Sequence, residues 1–220
     1  MSNPTSNPTP NLTPNLTLYV DSLHTSPYAM SVFVTLKQKG LPFTMRTVDL
    51  DAGENLADSY CGMSLTRKVP LLVHERFHLN ESSAITEYLE DHFEPPVHAA
   101  VYPADLKQKA RARQVQAWLR SDLIPIRMER STEVIFFGKR FGPLSEAAVK
   151  ARDKLVAAAD KLIEDGHANL FPTWSVADVD LALMLNRLVM HGDPMPEKLK
   201  SYAARQWEHP AIQQWAALNR

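Results

Sequence analysis

Two short stretches of this 220-residue chain combine residue types that handle negative charge. In Ser26-Pro27-Tyr28 a serine directly precedes a proline, the residue suited to the first turn of a helix because the N–H it lacks has no helical partner there. Ser26 thus stands at a helix N-terminus, where free amides and the helix dipole favour an anion. The second stretch, Lys68 to Ile85, reads KVPLLVHERFHLNESSAI and places Glu81, Ser82 and Ser83 at the opening of another helix. An acid beside a hydroxyl and helix-terminal amides offers receptors for both signs of charge. Each stretch also has a plainer reading: Ser26 as an N-cap, and Glu81-Ser82 as a cap with a surface acid.

The elements that must carry these residues follow from periodicity. Leu16 to Val20 is a short β-prone run, and Tyr28 to Lys39 places Val32, Phe33 and Leu36 on one helical face before Gly40. Phe43 to Leu50 alternates as a strand, giving a βαβ unit. A polar connection from Asp51 to Thr66 holds a short helix over Glu54 to Cys61. Val69-Pro70 opens an apolar run that must be a strand start or an edge, because proline cannot donate to a central ladder. Glu75-Arg76 reverses the chain into a second strand, and Ala84, Ile85, Tyr88, Leu89 and Phe93 recur at helical spacing. The first half therefore reads βαβ followed by ββα, an α/β unit.

Three prolines between Glu94 and Pro103 mark a linker, so the boundaries are 16–93 and 104–220. The second unit is helical in pattern throughout, with helices over Ala104 to Leu123, Leu144 to Ile163, Lys198 to Trp207 and Pro210 to Leu218. Ser175 and Asp178 form a capping box, with Trp174 and Val179 as its staple, so a helix starts at Val176. Its continuation is apolar on nearly every face, as befits the centre of a bundle. Residues 1–15 repeat an Asn-Pro-Thr theme with almost nothing apolar and read as a disordered tail.

Composition narrows the function. With 24 basic and 25 acidic residues the net charge is −1, which gives no footprint for nucleic acid. No apolar run reaches the roughly 20 residues of a membrane-spanning helix. The single cysteine, Cys61, excludes an internal disulfide framework and a CxxC pair and points to a cytoplasmic, reducing location. Cys61 itself reads as a half-buried structural thiol. The histidines lack metal-ligand spacing, so no metal is expected, and His24 has no evident partner.

Ser26-Pro27-Tyr28, Val69-Pro70-Leu71-Leu72, Glu81-Ser82-Ser83-Ala84-Ile85 and the stretch from Ser175 together resemble the soluble, cytosolic-type glutathione transferase family of bacteria, over residues 16 to 218. The resemblance implies a thioredoxin-like glutathione-binding domain followed by an all-helical C-terminal domain. It implies that Ser26 donates to the glutathione sulfur and stabilises the thiolate, with glutathione as co-substrate and no other cofactor. Lowering a thiol pKa by two units takes about 2.7 kcal/mol, within reach of one charge-assisted hydrogen bond and a helix terminus. Thr25 and Ser22 are nearby hydroxyls able to take that role if the loop register differs, and Tyr19 is a weaker candidate inside the strand. Ser82 and the helix amides would receive the γ-glutamyl carboxylate, Glu81 the ammonium, and the Val69 backbone the cysteinyl amide. Arg67 and Lys68 either neutralise the glycine carboxylate or form a solvated face.

For the second substrate, Gln114, Trp118 and Asp122 share one face of the first helix of the bundle, with Arg111, Arg113 and Arg120 adding positive charge there or forming salt bridges. The activity so implied is thiolate attack on an electrophilic small molecule, with hydroperoxide reduction as a variant, in a homodimer engaged in detoxification and oxidative stress. A Ser26 in place of a cysteine disfavours disulfide exchange. The alternative is a non-enzymatic glutathione- or protein-binding module of the same fold.

Overall fold

The computed structural model describes residues 15–219. Its first half is built from β1 (Leu16–Asp21), α1 (Pro27–Gln38), β2 (Thr44–Val48), α2 (Asp58–Cys61), β3 (Leu71–His74), β4 (Phe77–Asn80) and α3 (Ser82–His92). The sheet order is β2-β1-β3-β4, with β1 parallel to β2 and antiparallel to β3, and β3 antiparallel to β4. Burial follows that order: Leu71 and Leu72 of central β3 are both fully buried, whereas β2 buries only Val48 and β4 only Asn80. A central strand covered on both faces loses its alternation, and edge strands keep solvent on one side. Pro70 immediately precedes β3, so its missing N–H removes nothing from the ladder; the Val69–Pro70 bond is cis.

Helix α1 buries every residue from Ala29 to Leu36 because it is enclosed by the sheet, α3 and two helices of the second half. It closes at Gly40, whose φ of +67° suits the left-handed turn after a helix, with the Leu41 amide donating to the Leu36 carbonyl at 3.0 Å. The helix read over Glu54 to Cys61 is split into a 3₁₀ turn at Glu54–Leu56 and α2, with Ala57 extended between them. The tail assigned to residues 1–15 lies outside the described residues except for Asn15, whose carbonyl accepts from the Glu75 amide at 3.2 Å.

The proline-rich stretch leads from α3 to α4 (Leu106–Ser121). A buried ion pair holds it: Lys39 Nζ donates to Glu90 Oε2 at 2.7 Å and to the Ala99 carbonyl at 3.0 Å, while Glu90 Oε2 also accepts from the Val101 amide. The helical half continues with α5 (Ile124–Glu129), α6 (Glu133–Phe137), α7 (Glu146–Leu162), α8 (Val176–Val189), α9 (Glu197–Trp207) and α10 (Pro210–Ala216). The fold is thus a mixed-sheet βαβ-ββα domain followed by an all-α bundle. Helices α5 and α6 are too short to show a period, and Leu123, at φ +62°, separates α5 from α4.

Helix α8 begins at the Ser175–Asp178 capping box and buries twelve residues. Asp178 Oδ2 accepts from the Ser175 amide at 2.9 Å and Oδ1 from the Leu170 amide at 2.7 Å and the Tyr202 hydroxyl at 2.8 Å. Val179 and Leu183 of α8, with Ile212 and Trp215 of α10, complete the core above α1. That shared core fixes the two halves against each other along the seam where the chemistry-bearing residues stand.

Candidate functional site

The Ser26 corner is assembled by a carboxylate. Asp21, buried at the end of β1, accepts from the Thr25 amide at 2.6 Å, the Thr25 hydroxyl at 3.0 Å and the Ser26 amide at 3.1 Å. These bonds bring the chain into α1 with Ser26 as its N-cap, the Ser26 Oγ accepting from the Ala29 amide at 3.2 Å. An oxygen that accepts in the cap still has its own proton to give, and that hydroxyl has no acceptor among the described residues. The Met30 amide is satisfied by the Ser26 carbonyl and Pro27 has no N–H, leaving the Tyr28 amide as the second free donor. Thr25 differs from Ser26 because its hydroxyl is spent on Asp21. Ser22 is tied to β2 through its amide, and Tyr19 packs edge-on against Tyr60 with ring centres 6.0 Å apart.

Ser26, Pro27 and Tyr28 line a cleft of about 380 Å³ with Asn55, Arg67, Lys68, Val69 and Thr132. An adjoining cleft of about 230 Å³ shares Tyr28, Lys68 and Val69 and adds Thr66, Glu81, Ser82 and Arg120. The structure therefore brings Ser26, Arg67, Lys68, Val69, Glu81 and Ser82 around one continuous depression. Its wall from Thr66 to Pro70 is held from behind. The Lys68 carbonyl accepts from the Tyr60 hydroxyl at 2.8 Å and Asn80 Nδ2 at 3.1 Å, and Asn80 Nδ2 also donates to the Pro70 carbonyl at 3.2 Å. Burial pushes the Tyr60 phenol up to about 12, so it remains a donor throughout the neutral range. Fixed in this way, the Val69 N–H and carbonyl have no partner among the described residues, and neither does the buried Thr66 hydroxyl. Such groups are free to meet a polar occupant of the cleft.

Asn80 does not cap α3. It turns inward to the loop, and Ser64 Oγ donates to its carbonyl oxygen at 3.1 Å. Glu81 becomes the N-cap, at φ +68° with no capping bond of its own, so its carboxylate stays exposed and uncommitted. The amides of Ser82, Ser83 and Ala84 lie in the first turn with no partners among the described residues.

Arg120 is the site residue that residue types alone did not assign. From α4 its Nε and Nη2 each donate to Ser82 Oγ at 3.1 Å, and Nη1 pairs with Asp180 of α8 at 3.0 Å. The guanidinium also lies 5.7 Å from the centre of the Tyr28 ring. It thus joins the opening of α3, the opening of α1 and α8, and brings a positive charge to the floor of the cleft.

The Gln114, Trp118 and Asp122 face points elsewhere. At 3.6 residues per turn Arg120 lies about 200° around the helix from Trp118, and the structure places Gln114 and Trp118 in a separate groove of about 770 Å³ between α4 and α7, lined also by Arg111 and Lys161. Neither Ser26 nor Ser82 borders it. Asp122 pairs with Lys154 and accepts from the Leu123 amide at 2.7 Å and Trp118 Nε1 at 3.0 Å, which together hold its carboxyl down at about 2. Arg113 pairs with Glu87 of α3. His24 packs edge-on against Trp215, and burial lowers its pKa against the opposing pull of Asp21. Cys61 is half-buried, its thiol donating to the Asn55 carbonyl at 3.6 Å.

Among the described residues no helix is long and apolar enough to cross a membrane, and no group of three or more His, Cys, Asp or Glu is placed to hold a metal ion. Residues 25–92 match the glutathione S-transferase N-terminal domain family, and residues 105–220 match the glutathione S-transferase C-terminal domain family. The chain is 48% identical to a glutathione transferase homolog from Burkholderia gl BGR1 solved with bound glutathione, with a TM-score of 0.79 over 94% of this chain and 98% of that one. It is 30% identical over 204 residues to glutathione S-transferase theta-1 of Mus musculus, covering 90% of this chain and 79% of that protein. A delta-class glutathione transferase of Nilaparvata lugens, 23% identical, shares the fold with a TM-score of 0.72 over 93% of this chain and 96% of that one. Since these relatives come from mammals and insects as well as a bacterium, the likeness does not single out a bacterial branch. Both halves match and the similarity runs through nearly the whole length: the chain belongs to the glutathione S-transferase family.

Proposed function

We propose that the protein binds glutathione in the two adjoining clefts and activates its thiol at Ser26 for attack on an electrophilic small molecule. The observation that carries this reading is the set of unspent polar groups along one depression: the Ser26 hydroxyl, the Tyr28 amide, the Val69 backbone, the orphaned Thr66 hydroxyl and the first-turn amides of α3. A tripeptide with two carboxylates, an ammonium, two amides and a thiol has a complement for each. In the proposed pose the γ-glutamyl carboxylate meets Ser82 and the α3 amides, Glu81 meets the ammonium, and the Val69 backbone pairs with the cysteinyl amide. Arg67 and Lys68 stand beside the glycine carboxylate. The thiol then reaches Ser26 at the start of α1.

There the Ser26 hydroxyl donates to sulfur and stabilises the thiolate. It does not remove the proton, which passes to solvent. The sulfur lone pair forms the new bond to an electrophilic carbon, and the leaving group departs with the bonding pair. With a hydroperoxide the sulfur attacks oxygen, the O–O bond breaks to release an alcohol, and a second glutathione yields the disulfide and water. The co-substrate would enter beside Thr132, where the Ser26 cleft meets the helical half. We place the protein in a reducing compartment such as the cytoplasm, as a homodimer in detoxification and the response to oxidative stress, with glutathione as co-substrate and no other cofactor. Calorimetric titration with glutathione, followed by turnover with an electrophilic aromatic halide and an organic hydroperoxide, tests the reading. Binding with turnover supports it; binding with no turnover of either class favours a non-enzymatic glutathione-binding module; no binding overturns both.

A further inference from the structure

Tyr28 and Arg120 also border a second, much smaller space. Between the start of α1, the end of α4, α5 and α8 lies a cavity of about 20 Å³ bounded by Tyr28, Arg120, Arg127, Asp180, Leu183 and Arg187. That is room for one occupant of about the size of a water. Its charges do not balance. Asp180 is matched by Arg120 at 3.0 Å and by Gln116 Nε2 at 2.8 Å. Arg127 Nη1 donates to the Tyr28 hydroxyl at 2.9 Å and the Arg120 carbonyl at 2.7 Å, and meets no carboxylate. Arg187 is 4% exposed; its Nη1 donates to the Arg130 carbonyl at 2.8 Å, and its Nε is buried with no partner. Arg130 cannot share its acid, since both oxygens of Asp193 are engaged with it.

Buried Arg187 and half-buried Arg127, neither paired with a carboxylate among the described residues, therefore line one small hollow walled also by Pro27, Leu119, Leu183 and Met184. A buried cation is ordinarily paired, and an unpaired one destabilises the fold unless something compensates it. Burial brings the Arg187 guanidinium down to about 10, with Tyr28 opposing that shift and Arg127 adding to it. A water could satisfy the free Nε but not the surplus charge. A monatomic anion fits that volume, whereas a phosphate, a sulfate or a carboxylate could place only one oxygen there.

We propose that this cavity is a binding site for a single small inorganic anion of halide size, held between Arg127 and Arg187 against Tyr28. The bound anion neutralises the pair and braces Tyr28 through Arg127, which donates to its hydroxyl. The hollow adjoins the glutathione clefts through Pro27, Tyr28 and Arg120, but its test does not depend on glutathione. Thermal unfolding of the full chain is followed in sodium chloride, sodium bromide and sodium gluconate at equal ionic strength, with Arg187→Met as reference for general salt effects. Where halide exceeds its Kd tenfold, mass action raises the wild-type Tm by about 3–6 °C over gluconate, and Arg187→Met shows no such rise. Crystals grown in bromide carry an anomalous peak between Arg127 and Arg187. Equal wild-type Tm in the three salts, the same halide shift in Arg187→Met, or an empty cavity in the bromide crystals each overturns the proposal. Should Arg187→Met fail to fold, the anomalous map of the wild type decides alone.

Discussion

Replacing Ser26 with alanine separates its two jobs. As N-cap, Ser26 Oγ satisfies the Ala29 amide at 3.2 Å, and losing a serine cap costs about 0.5–2 kcal/mol of stability. As proposed thiolate donor, the same hydroxyl gives one hydrogen bond to an ionised sulfur, worth about 1.5–3 kcal/mol. At 1.36 kcal/mol per unit, that raises the bound thiol pKa by about 1–2 units. The Tyr28 amide and the dipole of α1 survive the substitution, so the thiol does not return fully to its free value near 8.5. The assay is ultraviolet thiolate absorbance of bound glutathione as a function of pH, for wild type, Ser26→Ala and Ser26→Thr, alongside denaturant unfolding. Threonine keeps both the cap and the hydroxyl, so it retains most of the wild-type pKa. A Ser26→Ala protein that binds glutathione and titrates within about 0.3 units of wild type refutes the role. Thr25 would then have to break its bond to Asp21 to serve.

Other substitutions probe the walls. Arg120→Met removes one member of a largely buried pair with Asp180 and should cost about 3–5 kcal/mol; adding Asp180→Asn restores much of that stability but not the lost glutathione affinity. Full recovery of affinity in the double variant, read by calorimetry, would reduce Arg120 to a purely structural part. Asn80→Ala deletes bonds to the Lys68 and Pro70 carbonyls and strands Ser64, for an expected loss of about 2–4 kcal/mol in urea unfolding and weaker glutathione binding through a loosened Val69. Asp122 has a folded pKa of about 2, below its ordinary 3.8, so its stabilisation is present above about pH 4 and lost as pH falls through about 2. The stability gap between wild type and Asp122→Asn should shrink over that window and be flat from pH 5 to 7; a gap unchanged down to pH 2 would contradict the assigned pairing with Lys154.

The fold was largely legible because its signals are local. Pro70 declared a strand start, Gly40 a helix end, and Ser175 with Asp178 a helix beginning, each through a property of the residue itself. What failed to show was what depends on neighbours distant in sequence. Asn80 carries the composition of a cap, yet its amide is worth more buried against Lys68 and Pro70, and Glu81 takes the cap position in a left-handed conformation instead. Strand β2 alternates along its whole read length but pairs over only Thr44–Val48, and its last pair, Val48 with Asp21, falls where β1 ends.

The same distinction governs the site. Ser26, Glu81 and Ser82 could be proposed from sequence because each sits at an element boundary, where free backbone groups and the chemistry of one residue coincide, and Val69 through the resemblance. Arg120 had no such marker: it is one of three arginines on α4, and nothing in its spacing separates it from Arg111 at the outer groove or Arg113 paired with Glu87. Its meaning comes from rotation, since a helix docked on α3 and α8 through Gln116 and Arg120 must turn Gln114 and Trp118 outward. A single contact across the domains would have fixed that rotation. The observed one, Arg120 on Ser82, selects the face that completes the cleft and makes the helical half part of the site that the first half opens.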